Sequence, residues 1–189
     1  ASATILASLP ESDTGPAVCY RQAGDNYILM EYGPNVMDLG FRLRIHGLME
    51  ALEDRALEGL LELSPGVRSL QLRYDPHRLP QPSLIQTLLD IEQTLPATDE
   101  LTVRSRVLHL PMAFEDTATL EAVDKYRQSV RDTAPWLPNN VDFIQRLNGL
   151  EHRDEVREVL YSARYLVLGL GDVYLGAPCA VPLDPRHRL

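Results

Sequence analysis

The stretch AVCYRQAGDNYILMEY, residues 17–32, decides the fold of the first half of the chain. Two runs rich in apolar and aromatic residues, 17–22 and 27–32, flank Ala23-Gly24-Asp25-Asn26. Turn-forming residues between two β-forming runs are the signature of an antiparallel hairpin. Downstream, Asp38 is placed to cap a helix whose Phe41, Ile45, Leu48 and Leu52 recur at spacings of four, three and four. Two strands follow, LLEL (60–63) and VRSLQLRY (67–74), around Ser64-Pro65-Gly66. Val67, Leu70 and Leu72 do not alternate strictly, so the second strand is expected to be buried on both faces or bulged. After DPHRLPQP (75–82), Leu84, Ile85, Leu88, Leu89 and Glu92 trace a second helix that ends before Pro96. SRVLHLPM (105–112) is predicted to return to strand.

Upstream of the hairpin, residues 1–16 hold Pro10, Gly15 and Pro16 among small polar residues and read as a linker or lead-in. The order of elements implies an α+β unit over 17–104, a small antiparallel sheet with helices on one face. A second unit over 105–189 differs in texture. Leu120, Val123, Tyr126 and Val130 mark a helix within 114–132, and APWLPNN (134–140) breaks it. NVDFIQRLNGL (140–150) and HRDEVREVLYSARY (152–165) are two further helices, and YLVLGL (165–170) reads as a buried strand.

Bulk properties narrow the function. The 189 residues are 44% apolar and 24% charged, as in an ordinary globular protein. A net charge of -9 opposes a phosphate backbone, which argues against a nucleic-acid partner. No apolar run approaches the roughly 18 residues of a membrane span, and no basic-then-apolar signal segment opens the chain, so a cytoplasmic protein without a membrane partner is expected. Of 18 cationic residues only Lys125 is a lysine. A GC-rich genome explains that bias, and it makes any fixed positive charge in a site a guanidinium. Cys19 and Cys179 lack a partner at ligand spacing and read as two unrelated thiols.

Familiar catalytic templates are missing. There is no GxxxxGK[ST], HExxH, Cys-x-x-Cys or GxSxG, and the five histidines are too scattered to suggest a metal site. Polar candidates gather in two places. In PWLPNNVDFIQRLNGL (135–150), Asn139, Asn140 and Asn148 offer amides that both donate and accept; Asn140 equally suits a helix cap, and Asn148-Gly149 a helix exit. The terminal GLGDVYLGAPCAVPLDPRHRL (169–189) offers Asp172, Tyr174, Asp184, Arg186, His187 and Arg188. Its glycines let backbone N–H groups approach a ligand, and its arginines suit a carboxylate. A solvated loop with internally paired charges is the other reading.

Five phrases, in order, carry a resemblance: RQAGDNYILMEYG, PGVRSLQLRYDP, LHLPMAFED, YRQSVRDTAPWLPNNVDFIQRLNGL and YLVLGLGDVYLGAPCAVPLDPRHRL. They closely resemble the carboxyltransferase subdomain C and D family, also called allophanate hydrolase subunit 1, and within it the biotin-dependent urea carboxylase members. The resemblance runs from about residue 16 to the end. It implies that the second unit is a cyclophilin-like β-barrel, truncated here because family chains run on into a glycine-rich segment that completes it. The implied reaction transfers a carboxyl group from carboxybiotin to a nitrogen of urea, giving allophanate, or to guanidine. Biotin would ride on a separate carrier domain, and ATP would be used by a separate biotin carboxylase domain. The centre would be shared with a homologous second subdomain pair, so the fragment alone is expected to be inactive. That chemistry needs donors for the ureido oxygen and polar walls, but no metal and no nucleophilic side chain here. The residues expected at the cleft are Asp172, Tyr174 and His187 as catalytic groups. Asn140, Asp142, Asn148, Asp184 and Arg186 are expected to bind substrate, the carboxylates taking urea N–H groups and Arg186 an anionic oxygen. The same resemblance leaves two alternatives, a subunit of an ATP-dependent 5-oxoprolinase and a non-enzymatic inhibitor of a histidine kinase.

Overall fold

A computed structural model describes residues 4–170 and 178–189, and the chain divides into two compact units, Ala1–Arg106 and Val107–Leu189. The sequence places this division near residue 104.

The first unit is a five-stranded antiparallel sheet in the order β1-β2-β3-β5-β4 with two helices on one face. The hairpin forms as the turn residues predict: β2 (Val18–Gln22) pairs with β3 (Tyr27–Tyr32), Val18 opposite Tyr32 and Gln22 opposite Ile28. The segment expected as a lead-in contributes an edge strand, β1 (Ile5–Leu9), paired antiparallel with β2. Leu6, Ala7 and Leu9 pack against the core, and that burial is what recruits a segment whose prolines and glycine otherwise signal a loop. β3 also pairs with β5 (Ser69–Tyr74), which pairs with the edge strand β4 (Leu60–Pro65). In β5 the buried residues are Leu70, Leu72 and Tyr74, a clean alternation, since Val67 precedes the strand. The irregularity lies in β4, between Leu60 and Glu62.

Asp38 caps α1 (Leu39–Arg55), its Oδ1 accepting from the Gly40 N–H at 2.7 Å. Pro82 sits in the first turn of α2 (Gln81–Thr94), where its missing N–H costs nothing. Ile45, Leu48 and Leu52 of α1 and Leu84, Leu88 and Ile91 of α2 close over Val18, Tyr20, Ile28, Met30, Tyr32, Leu70 and Leu72. Gly33 leaves β3 at φ +50°, and a Cβ there would stand 2.4 Å from Phe41 Cζ, so the turn into α1 requires glycine.

Two charges sit inside this core. Arg44 of α1 and Glu92 of α2 are 2% and 8% exposed. The Arg44 guanidinium donates to Glu92 Oε2 at 2.8 Å and to the carbonyls of Thr14 at 3.3 Å and Pro96 at 3.1 Å. Tyr32 donates its hydroxyl to Glu92 Oε1. Burial, reinforced by the Glu92 carboxylate, raises the Tyr32 phenol well above its ordinary value, so it remains a donor. Gly15 lets the backbone approach: a Cβ there would lie 2.8 Å from an Arg44 terminal nitrogen.

In the second unit the described elements are α3 (Thr117–Ser129), α4 (Asn140–Asn148), α5 (Arg153–Ser162) and a two-stranded antiparallel ribbon, β6 (Tyr165–Leu170) with β7 (Pro178–Pro182). A short 3-10 turn, Pro185–His187, follows. Among the described residues no closed barrel is present. Residues 105–112, expected as a strand, pair with no strand among the described residues; Val107, Leu108 and Leu110 are exposed. β propensity alone cannot hold a strand whose backbone groups find no neighbour. β6 corrects a second expectation. It is mostly exposed rather than buried, because β7 is its one described neighbour and a ribbon has no second layer to cover it. Cys19 is half-buried, Cys179 is exposed, and neither is bridged.

Candidate functional site

Local sequence chemistry explains how the start of α4 is built. Asn139, not Asn140, is the helix cap: its Oδ1 accepts from the N–H of Val141 at 2.8 Å and of Asp142 at 3.1 Å. Asn140 is thereby the first helical residue, exposed, and its side-chain amide makes no hydrogen bond among the described residues. The Leu137–Pro138 peptide leading into this cap is cis. At the other end Gly149 closes the helix in the left-handed conformation. The Asn148 amide folds back on its own helix, donating to the Ile144 carbonyl at 2.9 Å. Asn148 sits about 12 Å from Asn140 by helical rise. Its observed role is the helix exit.

The Asn139 side chain has a second contact. Its Nδ2 donates at 2.5 Å to Glu115 Oε1, and the same carboxylate receives Arg153 at 2.8 Å and Arg157 at 2.6 Å, both from α5. Arg153 continues to Asp142, with Nε 2.9 Å from Oδ1. Glu115 thus joins the loop before α3, the cap of α4 and one face of α5. Its neighbour Asp116 caps α3, accepting from the N–H groups of Ala118 and Thr119. Beside this cluster lies a recess of about 170 Å³ whose walls are largely apolar, including Phe114, Leu120, Ile144 and Val156, with Glu115 and Asn139 among the residues lining it. Phe114 packs edge-on to Tyr161 at 5.2 Å and carries the Arg157 guanidinium 6.0 Å from its ring centre.

The Asn139 amide and then the Arg153 guanidinium hold the Glu115 carboxyl at about 2, against an ordinary 4.5; Arg157 adds to them and burial opposes. A carboxyl with a lowered folded value stabilises above its ordinary value, and that contribution is lost as pH falls from about 4.5 through about 2. The melting temperature of the wild type is therefore expected to fall more steeply than that of Glu115→Gln across this window. Parallel slopes would remove Glu115 from the acid response.

The terminal candidates form a second cluster. Asp184 caps the Pro185–His187 turn and is chelated by Arg186, whose Nε lies 3.0 Å from both carboxylate oxygens and whose terminal nitrogen lies 2.5 Å from one of them. That chelation first, and the Arg186 N–H second, holds the Asp184 carboxyl far below the ordinary range. Arg186 is fully in solvent on its outer side, and its fork already has a carboxylate. The buried His187 Nδ1 has no hydrogen-bond partner among the described residues, and Arg188 donates to the Pro182 carbonyl at 3.2 Å. Asp172 and Tyr174 lie outside the described residues. No hydrogen bond or ion pair among the described residues links the Asn140–Asp142 group to the Asp184–His187 group. Among the described residues no three His, Cys, Asp or Glu side chains are grouped to hold a metal ion, and no helix is long and apolar enough to cross a membrane. Glu115, Arg153 and Arg157 are the polar groups that sequence reasoning misses. Their one sequence signal is the four-residue spacing of the two arginines on α5, which puts both on one face.

Residues 18–189 match the family described as carboxyltransferase domain, subdomain C and D. The chain belongs to that family. It is 50% identical over 185 residues to a urea amidolyase of Lachancea kluyveri and 47% identical to that of Saccharomyces cerevisiae, covering 97% of this chain in each case. It spans 10% of the length of those relatives. The crystal structure of Kluyveromyces lactis urea carboxylase is 47% identical and superposes with a TM-score of 0.76, covering 98% of this chain and 16% of that one. The fold and the five phrases of the resemblance thus converge on one family, and the family's subdomains C and D account for nearly the whole chain.

Proposed function

We propose that this chain forms one part of the carboxyltransferase centre of a biotin-dependent urea carboxylase, in which a carboxyl group passes from biotin to a urea nitrogen to give allophanate. The observation that carries this reading is the match to urea carboxylase along 98% of the chain at 47% identity. Relatives at this identity favour it over the 5-oxoprolinase subunit and the kinase inhibitor. In the same reading the second unit is a cyclophilin-like subdomain, the enzyme is cytoplasmic, and a homologous subdomain pair, a biotin carrier and an ATP-using biotin carboxylase supply the rest. Urea and guanidine both fit polar walls of this kind.

The side chains at hand suit such a substrate. When bound, biotin supplies the carboxyl group and the ureido oxygen on which negative charge develops. The free amide of Asn140, at the positive end of α4, is a neutral donor suited to an anionic oxygen. Asp142, two residues further along, accepts N–H groups from a diamide. Asp184 and Arg186 offer the same pair of chemistries on the terminal turn, and Asp172, Tyr174 and His187 complete the proposed cleft.

The test is made on the parent polypeptide. Expressed in full, it is expected to carry biotin on a lysine, seen as a mass increment and by streptavidin capture, and to cleave ATP in a urea-dependent manner when bicarbonate is present. A full-length parent with no biotin and no urea-stimulated ATP cleavage would sink the reading.

A further inference from the structure

Glu115 is a non-glycine residue held at φ +55°. A left-handed backbone without glycine is uncommon and persists where the surroundings over-determine it. The surroundings here are three donors from two other segments, Asn139, Arg153 and Arg157, on one carboxylate whose side chain is 19% exposed. Isolated surface ion pairs contribute little, but three charge-assisted or amide hydrogen bonds meeting on one acceptor define a geometry.

What they define is the start of α4. An asparagine cap can present either face of its amide. With Nδ2 engaged by Glu115, Oδ1 is turned toward the Val141 and Asp142 N–H groups, and the helix begins at Asn140. Arg153, tied to Glu115 at one nitrogen, lies with another against Asp142. Both exposed α4 side chains that the proposed function uses are therefore oriented through partners of Glu115, although Glu115 itself bonds to neither. We infer that Glu115 is a positioning residue: it sets the Asn139 amide and Arg153 so that the first turn of α4 holds Asn140 and, through Arg153, Asp142 in fixed positions for the substrate. This rests on the proposed function for what the pair binds.

The test uses the intact parent enzyme. Glu115→Ala is expected to raise the KM for urea about tenfold and to lower kcat about tenfold, because the Asn140 donor is misplaced together with Asp142, while bicarbonate-dependent ATP cleavage is unchanged. Hydrogen exchange of the peptide spanning 139–148 should quicken in the same variant. Asn139→Asp keeps the cap oxygen but sets two carboxylates together, and should reproduce the KM rise. Adding Glu115→Gln to it restores a donor–acceptor pair with its direction reversed, and should bring KM back toward the wild-type value. A role in stability alone would lower the melting temperature without moving KM and without rescue by the pair. That outcome overturns the inference, and so does unchanged exchange in Glu115→Ala. Where Glu115→Ala yields no folded enzyme, the Asn139→Asp variant and its rescue decide. A wild-type enzyme with no urea response but with the exchange change in Glu115→Ala would sink the functional reading and leave the positioning of α4 standing.

Discussion

Replacing Arg44 by methionine is expected to destabilise the first unit by about 4 kcal/mol, the scale on which one member of a buried ion pair is missed. The physical reason is the group left behind. Glu92 is 8% exposed, and without the guanidinium its carboxylate keeps, among the described residues, the Tyr32 hydroxyl as its remaining side-chain donor. The carbonyls of Thr14 and Pro96 lose a donor in the same step. Four segments are released at once: the β1–β2 connection, α1, α2 and the turn after α2. Thermal unfolding of the chain measures the loss. The double variant Arg44→Met with Glu92→Leu removes both charges and is expected to recover most of the loss, since an apolar pair of similar volume packs without a desolvation penalty. A single variant as stable as the wild type would mean that the pair is solvated in the folded protein.

The second large effect concerns chemistry. Asn140→Ala in the intact enzyme is expected to lower urea-dependent turnover about 100-fold, the range seen when one preorganised donor to a developing oxyanion is lost. Asn140 is singled out by what its neighbours do. Asn139 is committed to the cap and to Glu115, and Asn148 to the Ile144 carbonyl, whereas the Asn140 amide has no hydrogen-bond partner among the described residues and stands at the positive end of a helix. Asn148→Ala is the matched control, expected to stay within about twofold of wild type, because it removes an amide already turned back on its own helix. Bicarbonate-dependent ATP cleavage should be untouched in both. Equal turnover in the two variants would return Asn140 to the solvated surface.

How much was legible follows from the range over which each signal acts. The 17–32 hairpin, the Asp38 cap and the helices around Ile45, Leu88 and Tyr126 are local, and short-range periodicity and turn chemistry suffice to read them. Glu92 was readable as a member of the apolar stripe of α2, and Arg44 falls four residues before Leu48 on the corresponding stripe of α1. Two opposite charges on facing apolar stripes are a sequence signal for a buried pair, but only once the helices are known to face each other. In the second unit the neighbouring Asn139 and Asn140 look alike in sequence; what separates them is that the Asn139 amide caps α4 and donates to Glu115, 24 residues upstream.

By itself the sequence determined the hairpin, the succession of helices, the family and the polar residue types of the candidate site, because these depend on neighbours within a few positions or on whole phrases. Tertiary structure alone decided that residues 5–9 join the sheet, that 105–112 pair with no strand among the described residues, that Arg186 is chelated by Asp184, and that Glu115 receives the Asn139 cap and two arginines of α5. Each of those depends on which distant group supplies the missing hydrogen-bond partner or covering surface, and that is fixed by packing rather than by propensity.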